Sequence, residues 1–127
     1  PVHRTRMACR PEGRPARTDY RVARHWGETV ALLALQIHTG RTHQIRVHLK
    51  QLGHPVLGDA LYGFKPARLE AALGAAIPVP RILLHASRLG FHHPLTGQAM
   101  ALEAPLPADF MDLMGLLDRL HGPGESR

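Results

Sequence analysis

Cysteine is nearly missing from this chain: Cys9 is the only one in 127 residues, so no disulfide can form within it. A reducing, cytoplasmic setting is the expectation that follows. One thiolate cannot build a zinc knot, and no His-Glu-x-x-His occurs. The ten histidines still invite a metal, but His43 and His48 stand about 140° apart round a helix and share no face. No metal site is therefore expected. No apolar run approaches the ~20 residues of a membrane-spanning helix. Pro1-Val2-His3-Arg4-Thr5-Arg6 lacks the apolar core of a signal peptide, and the expected partners do not include a membrane. Gly-x-Gly-x-x-Gly and the P-loop pattern are absent too, so Gly40, Gly58 and Gly63 make no nucleotide-binding fingerprint. There is no internal repeat and no low-complexity tract.

What is present is a basic chain with enough apolar content for a core. Apolar residues make up 44%, which argues against disorder. The length suits one domain or part of one. Lys and Arg number 16 against 10 for Asp and Glu, a formal charge of +6. That excess favours a polyanionic partner, nucleic acid first, although it also fits a membrane surface or plain solubility. Most of it is arginine, whose flat fork suits phosphate and base edges better than an ammonium does. The chain begins at Pro1 without an initiator Met, as a fragment would.

Along the chain, residues 1–16 are rich in Arg, Pro and Gly and read as a loop or extended arm. Their arginines, at 4, 6, 10 and 14 with Arg17 beyond, fit either an RNA-binding arm or a solvated terminus. Residues 17–24 alternate in polarity, placing Tyr20 and Val22 on one side of a half-buried strand. Gly27 marks a turn, and the apolar run 29–37 is expected to return as a hairpin partner with the character of a central strand. From Thr42, a suitable N-cap, Ile45, Leu49 and Leu52 recur at helical spacing, while His43, Arg46 and Lys50 fall on another stripe. A short helix is expected over 66–74 and a strand over 82–91. Residues 98–103 are its partner across Pro94-Leu95-Thr96-Gly97. Phe110, Leu113, Met114, Leu117 and Leu120 then define a closing amphipathic helix. His85, inside an apolar strand, is expected to be hydrogen-bonded rather than catalytic, and His92-His93 to lie in a turn. The fold class is α+β, with a mainly antiparallel mixed sheet and flanking helices. Residues 17–120 form its folded part and 121–127 a tail.

The densest chemistry lies in Thr39-Gly40-Arg41-Thr42-His43-Gln44-Ile45-Arg46-Val47-His48. A strand that ends in Thr-Gly and opens a helix aims free N–H groups at whatever lies above the sheet, and such an end favours anions. Arg41, His43, Gln44 and Arg46 cluster round it. Taken alone, this predicts a helix start that meets a phosphate or a carboxylate. Taken alone, too, Arg46 would be assigned to an ordinary surface salt bridge.

The longer stretch Leu35–His48 resembles the third sequence motif of RluA-type pseudouridine synthases. It runs on into Gly53-His54-Pro55-Val56-Leu57-Gly58-Asp59-Ala60-Leu61-Tyr62-Gly63, similar to that family's Gly-His-Pro-x-x-Gly-Asp-x-x-Tyr-Gly segment. Leu84-His85-Ala86 with His93-Pro94, Ala104–Phe110, and upstream Gly13–Tyr20 resemble further motifs, in order, over about residues 1–120. The resemblance implies the carboxy-terminal part of one catalytic domain that isomerises uridine to pseudouridine in structured RNA. Ribosomal RNA is the first expected substrate and transfer RNA the second. It implies no cofactor. Arg46 matches the arginine that pairs with the catalytic aspartate. Ile45 matches an apolar residue near the target base, and Arg41, His43 and Gln44 are expected on the site wall or on RNA phosphate. Gly58, Asp59 and Tyr62 resemble a structural loop beside the site.

One departure stands out. The family's nucleophilic aspartate belongs to a His-Arg-Leu-Asp-type motif, followed downstream by an aromatic residue lining the base pocket. His3-Arg4 is not followed by Leu-Asp, and Asp19, Asp59, Asp109, Asp112 and Asp118 match no such motif. The missing part would precede Pro1, so this chain alone is expected to lack catalysis. A non-catalytic basic RNA-binding module is the alternative. A monomer is the default expectation for oligomeric state.

Overall fold

The computed structural model describes residues 5–9, 15–40, 43–92, 94–121 and 124–125. Strand β1 (Thr5–Cys9) pairs with β2 (Ala16–Trp26), and β2 with β3 (Val30–Ile37). Helix α1 (Gln44–Gln51), a 3-10 turn (Ala60–Tyr62) and helix α2 (Pro66–Leu73) follow. Strands β4 (Arg88–His92) and β5 (Ala99–Glu103) form a separate hairpin. Helix α3 (Ala108–His121) and the short β6 (Gly124–Glu125), which returns to β2, complete the order. Every described strand pair is antiparallel, and the fold is α+β.

Several expectations need correction. β2, not β3, is the central strand, because β1 and β6 take its second edge while β3 ends the sheet among the described residues. The continuous apolar character of β3 has another cause: its two faces serve two different hydrophobic clusters. Residues 5–9, inside the segment read as an arm, are a strand, held by pairing to β2 across the sheet. Residues 82–87 are not a strand, since no strand among the described residues pairs with them; the N–H of Leu83 bonds to Leu57 O instead. His92 lies in β4 rather than a turn, and His93 falls outside the described residues.

A bulge in β2 separates the two clusters. Val22 faces Leu33 and Arg24 faces Leu32, so Ala23 is the extra residue. An inserted residue reverses the alternation beyond it. Trp26 is thereby carried to the opposite side from Tyr20, where it packs with Val30, Leu69, Leu73, Ile77, Leu113 and Leu117. Its indole Nε1 donates to Asp118 on α3 at 2.7 Å. Leu113 and Leu117 are core, as the periodicity of α3 predicts, while Leu120 is exposed. On the other side of the sheet, Leu49 and Val56 gather Tyr20, Leu33, Leu35, Ile45, Ile82 and Leu84. That second cluster seats α1 on the hairpin. An open groove runs along β3 and reaches both faces of the sheet; on the α1 side it is lined by Ile45, Leu49 and Leu52.

Candidate active site

Thr39 ties the end of β3 to the start of α1. Its hydroxyl accepts from the N–H of Arg17 at 2.9 Å and donates to Gln44 Oε1 at 2.7 Å. The Gln44 amide in turn donates to Arg17 O at 2.8 Å and to Thr18 Oγ1 at 2.9 Å. Gln44 is only 4% exposed. Its amide, expected on the site wall or on RNA phosphate, bonds to β2 and anchors the first turn of α1 there. His48, one turn on, is 2% exposed and shares Thr18 Oγ1 through Nδ1 at 2.9 Å. Its Nε2 is buried without a partner among the described residues. Burial alone pushes the His48 imidazole below its usual range, so it is neutral at pH 7.

The helix closes as tightly as it opens. The N–H groups of Gly53 and His54 bond back to Lys50 O and Leu49 O, and Gly53 adopts φ +81°, the pattern of a Schellman turn. At the other end the N-cap is His43 in the left-handed region, φ +50°, with no side-chain cap. Thr42, expected as the cap, and Arg41, expected at the substrate, lie outside the described residues.

Arg46 projects from the first turn on a different flank. Its Nε donates to Asp59 Oδ2 at 2.7 Å and its Nη2 to Asp59 Oδ1 at 2.8 Å. This is a bidentate pair along one edge of the fork, the strongest geometry such a pair has. The Arg46 side chain is 17% exposed and that of Asp59 0%. Nη1 has no hydrogen-bond partner among the described residues. The ring of Tyr62 lies 5.0 Å from Arg46 Cζ, a cation–π contact that borders one face of the guanidinium. Tyr62 Oη is 3.1 Å from His43 Nδ1, and the two rings meet edge to face. His43, exposed, is thus beside Arg46 in the same cluster. Ile45 is half-buried on the groove wall, and Arg46 sits on the adjoining flank of the helix, outside the groove lining.

The electrostatics follow the geometry. Arg46 holds the Asp59 carboxyl below the usual carboxylate range, against the burial that would raise it; the Tyr62 N–H and the nearby His43 add to the effect. Asp59 conversely raises the Arg46 guanidinium. Both are charged at every ordinary pH. The guanidinium can accept another anion only from the Nη1 side.

No other described aspartate faces that side with a free carboxylate. Asp19 is engaged by Arg17 and His38, Asp109 by Arg81, and Asp118 by Arg24 and Trp26. Asp112 is exposed on α3. His85 bonds through Nε2 to Ala104 O at 3.0 Å, in keeping with a hydrogen-bonded role. Asp59 as the partner of Arg46 is the residue the sequence reading missed. The Gly-Asp-x-x-Tyr spacing quoted for the loop was the available signal, since it places Asp59 and Tyr62 on one turn.

Residues 2–51 match the family described as RNA pseudouridylate synthase. The whole chain is 43% identical over 127 residues to the ribosomal large subunit pseudouridine synthase D of Nitrosomonas europaea, covering 36% of that protein. Over 121 residues, 92% of this chain, it is 40% identical to the enzyme of the same name in Escherichia coli, covering 37% of that protein. An uncharacterized RNA pseudouridine synthase of Chloroflexus aurantiacus is 48% identical over 109 residues, 86% of this chain and 32% of the relative. Along its length the chain is similar to part of RNA pseudouridine synthases of the RluA type. It spans about a third of the length of these curated relatives.

Proposed function

We propose that this chain supplies the arginine-bearing wall of an RNA pseudouridine synthase acting on structured, ribosomal RNA in the cytoplasm. The observation that carries the reading is the state of Arg46: partly exposed and paired along one edge to a buried carboxylate, it has no partner on Nη1 among the described residues. A guanidinium so held can grip and orient a second carboxylate and keep it ionised. The attacking carboxylate itself is proposed to come from sequence outside these 127 residues.

In that enzyme the uridine leaves its helix and enters the site. Extraction costs a few kcal/mol of unstacking, which contacts along the basic surface offset. The glycosidic N1–C1′ bond breaks with the help of the carboxylate, and the uracil turns. A C5–C1′ bond forms, C5 loses its proton, and N1 gains one. Arg46 takes no proton in these steps; it fixes the carboxylate while charge moves. No metal or organic cofactor enters the proposed chemistry.

The test is Arg46→Ala in the full-length protein, with pseudouridine in target RNA quantified by nucleoside mass spectrometry. The rate should fall by roughly 10²–10³-fold, the scale of losing one preorganised charge contact. Turnover at the wild-type rate would remove the assignment. The second reading, a basic RNA-binding module without chemistry, draws on the lack of an uncommitted aspartate at Arg46 among the described residues. Salt-sensitive RNA binding without any pseudouridine formation by the full-length protein would favour it.

A further inference from the structure

We propose that Asp59 is a positioning residue of this site: it sets the angle at which Arg46 meets the reacting carboxylate. The inference rests on the function proposed above and adds a residue to it.

The case begins with the backbone that carries Asp59. Gly58 sits at φ +89° with its α-carbon against the Arg81–Ile82 peptide, so close that an added Cβ would fall 2.1 Å from Arg81 O. Only glycine fits there. The N–H of Asp59 then bonds to Val56 O at 3.0 Å, and its carbonyl accepts from Tyr62 at 3.2 Å and from Phe64 at 3.0 Å. The carboxylate is therefore presented from a turn fastened on both sides.

Its ion pair goes to Arg46. Both oxygens are taken by Arg46, and the side chain has no exposed surface. Asp59 cannot meet RNA or solvent, so whatever it does for the site it does through Arg46. A single carboxylate oxygen would let the fork swing, whereas two contacts on Nε and Nη2 fix the guanidinium plane. Tyr62, on the same turn, limits the motion perpendicular to that plane, and His43 braces Tyr62. The two Nη1 protons and one Nη2 proton are left over, and they suit a second carboxylate approaching end-on. A site that holds an arginine between two carboxylates needs one of them immobile, and Asp59 is that one.

The experiment compares Asp59→Asn, Arg46→Ala and the double variant in the full-length protein. Single-turnover pseudouridine formation and the RNA dissociation constant are measured separately. Asp59→Asn keeps the shape but frees the fork; it should slow the reaction by about 100-fold, as small misplacements of catalytic groups do, with RNA affinity within about twofold of wild type. Added to Arg46→Ala it should cost nothing further, because its effect passes through that residue. A wild-type-like rate for Asp59→Asn, or a loss that multiplies with that of Arg46→Ala, would overturn the inference while leaving the proposed function intact. An active Arg46→Ala would instead overturn the proposed function. Should Asp59→Asn fail to fold, the wild-type protein still gives an answer by nitrogen-15 NMR. A slowly exchanging Arg46 Nε–H supports the clamp, and exchange as fast as in free arginine refutes it.

Discussion

The two flanks of α1 carry the same kinds of residue and use them differently. On one flank Gln44 and His48 lie against Thr18 of β2, buried, with their polar atoms facing the sheet. On the other, His43 and Arg46 stand over Asp59 and Tyr62, and part of each remains at the surface. Polar side chains under a helix cost desolvation and return it only as hydrogen bonds, so they serve the fold. Those on the open flank retain donors for a ligand. Residue type alone does not separate the two roles. The neighbour across the helix does.

Gln44→Leu gives the largest effect on the buried flank. It removes the hydrogen bonds that Gln44 makes to Thr39, Arg17 and Thr18 beneath the first turn and leaves Thr18 and Thr39 with fewer partners. Unfolding in urea should show a loss of about 3 kcal/mol. If stability is unchanged, the division of α1 into a structural and a chemical flank is wrong.

His48 gives a smaller, pH-dependent signal on the same flank. Its folded-state affinity for a proton is lowered by burial, so the unfolded chain binds more protons below the usual histidine range. Stability from this residue is therefore complete above about pH 6.5 and declines as pH falls from there through the lower, folded value. Replacing His48 with Gln should flatten that part of the stability profile. An unaltered slope between pH 7 and pH 5 would show that another group titrates. Asp59 has the same sign but a lower window: with its carboxyl held down by Arg46, its contribution is lost only as pH drops below the ordinary carboxylate range.

Much of this was legible in the residues. The alternation of 17–24, the glycine at 27 and the apolar run after it specify the β2–β3 hairpin, and helical spacing located α1 and α3. Arg46 was singled out by its motif. Other features depend on partners that no local pattern names. Gln44 reads as a residue of the site wall or of a phosphate contact until Thr18 is placed beneath it, and no local pattern names the partner of His48. The bulge at Ala23 moves Trp26 to the other face without changing its neighbours in sequence. Residues 82–87 have strand character but no strand beside them, and a strand is defined by its neighbour. Asp59 lies 13 positions from Arg46, past the end of α1 and a loop, beyond the reach of helical periodicity.

The role of Arg46 turns on the Nη1 side of its fork. A crystal structure of the full-length protein tests it most directly. The prediction is a second carboxylate at about 2.8 Å from Arg46 Nη1 or Nη2, with Asp59 still on Nε and Nη2. An Arg46 side chain that keeps Asp59 but has only bulk water before Nη1 would contradict it.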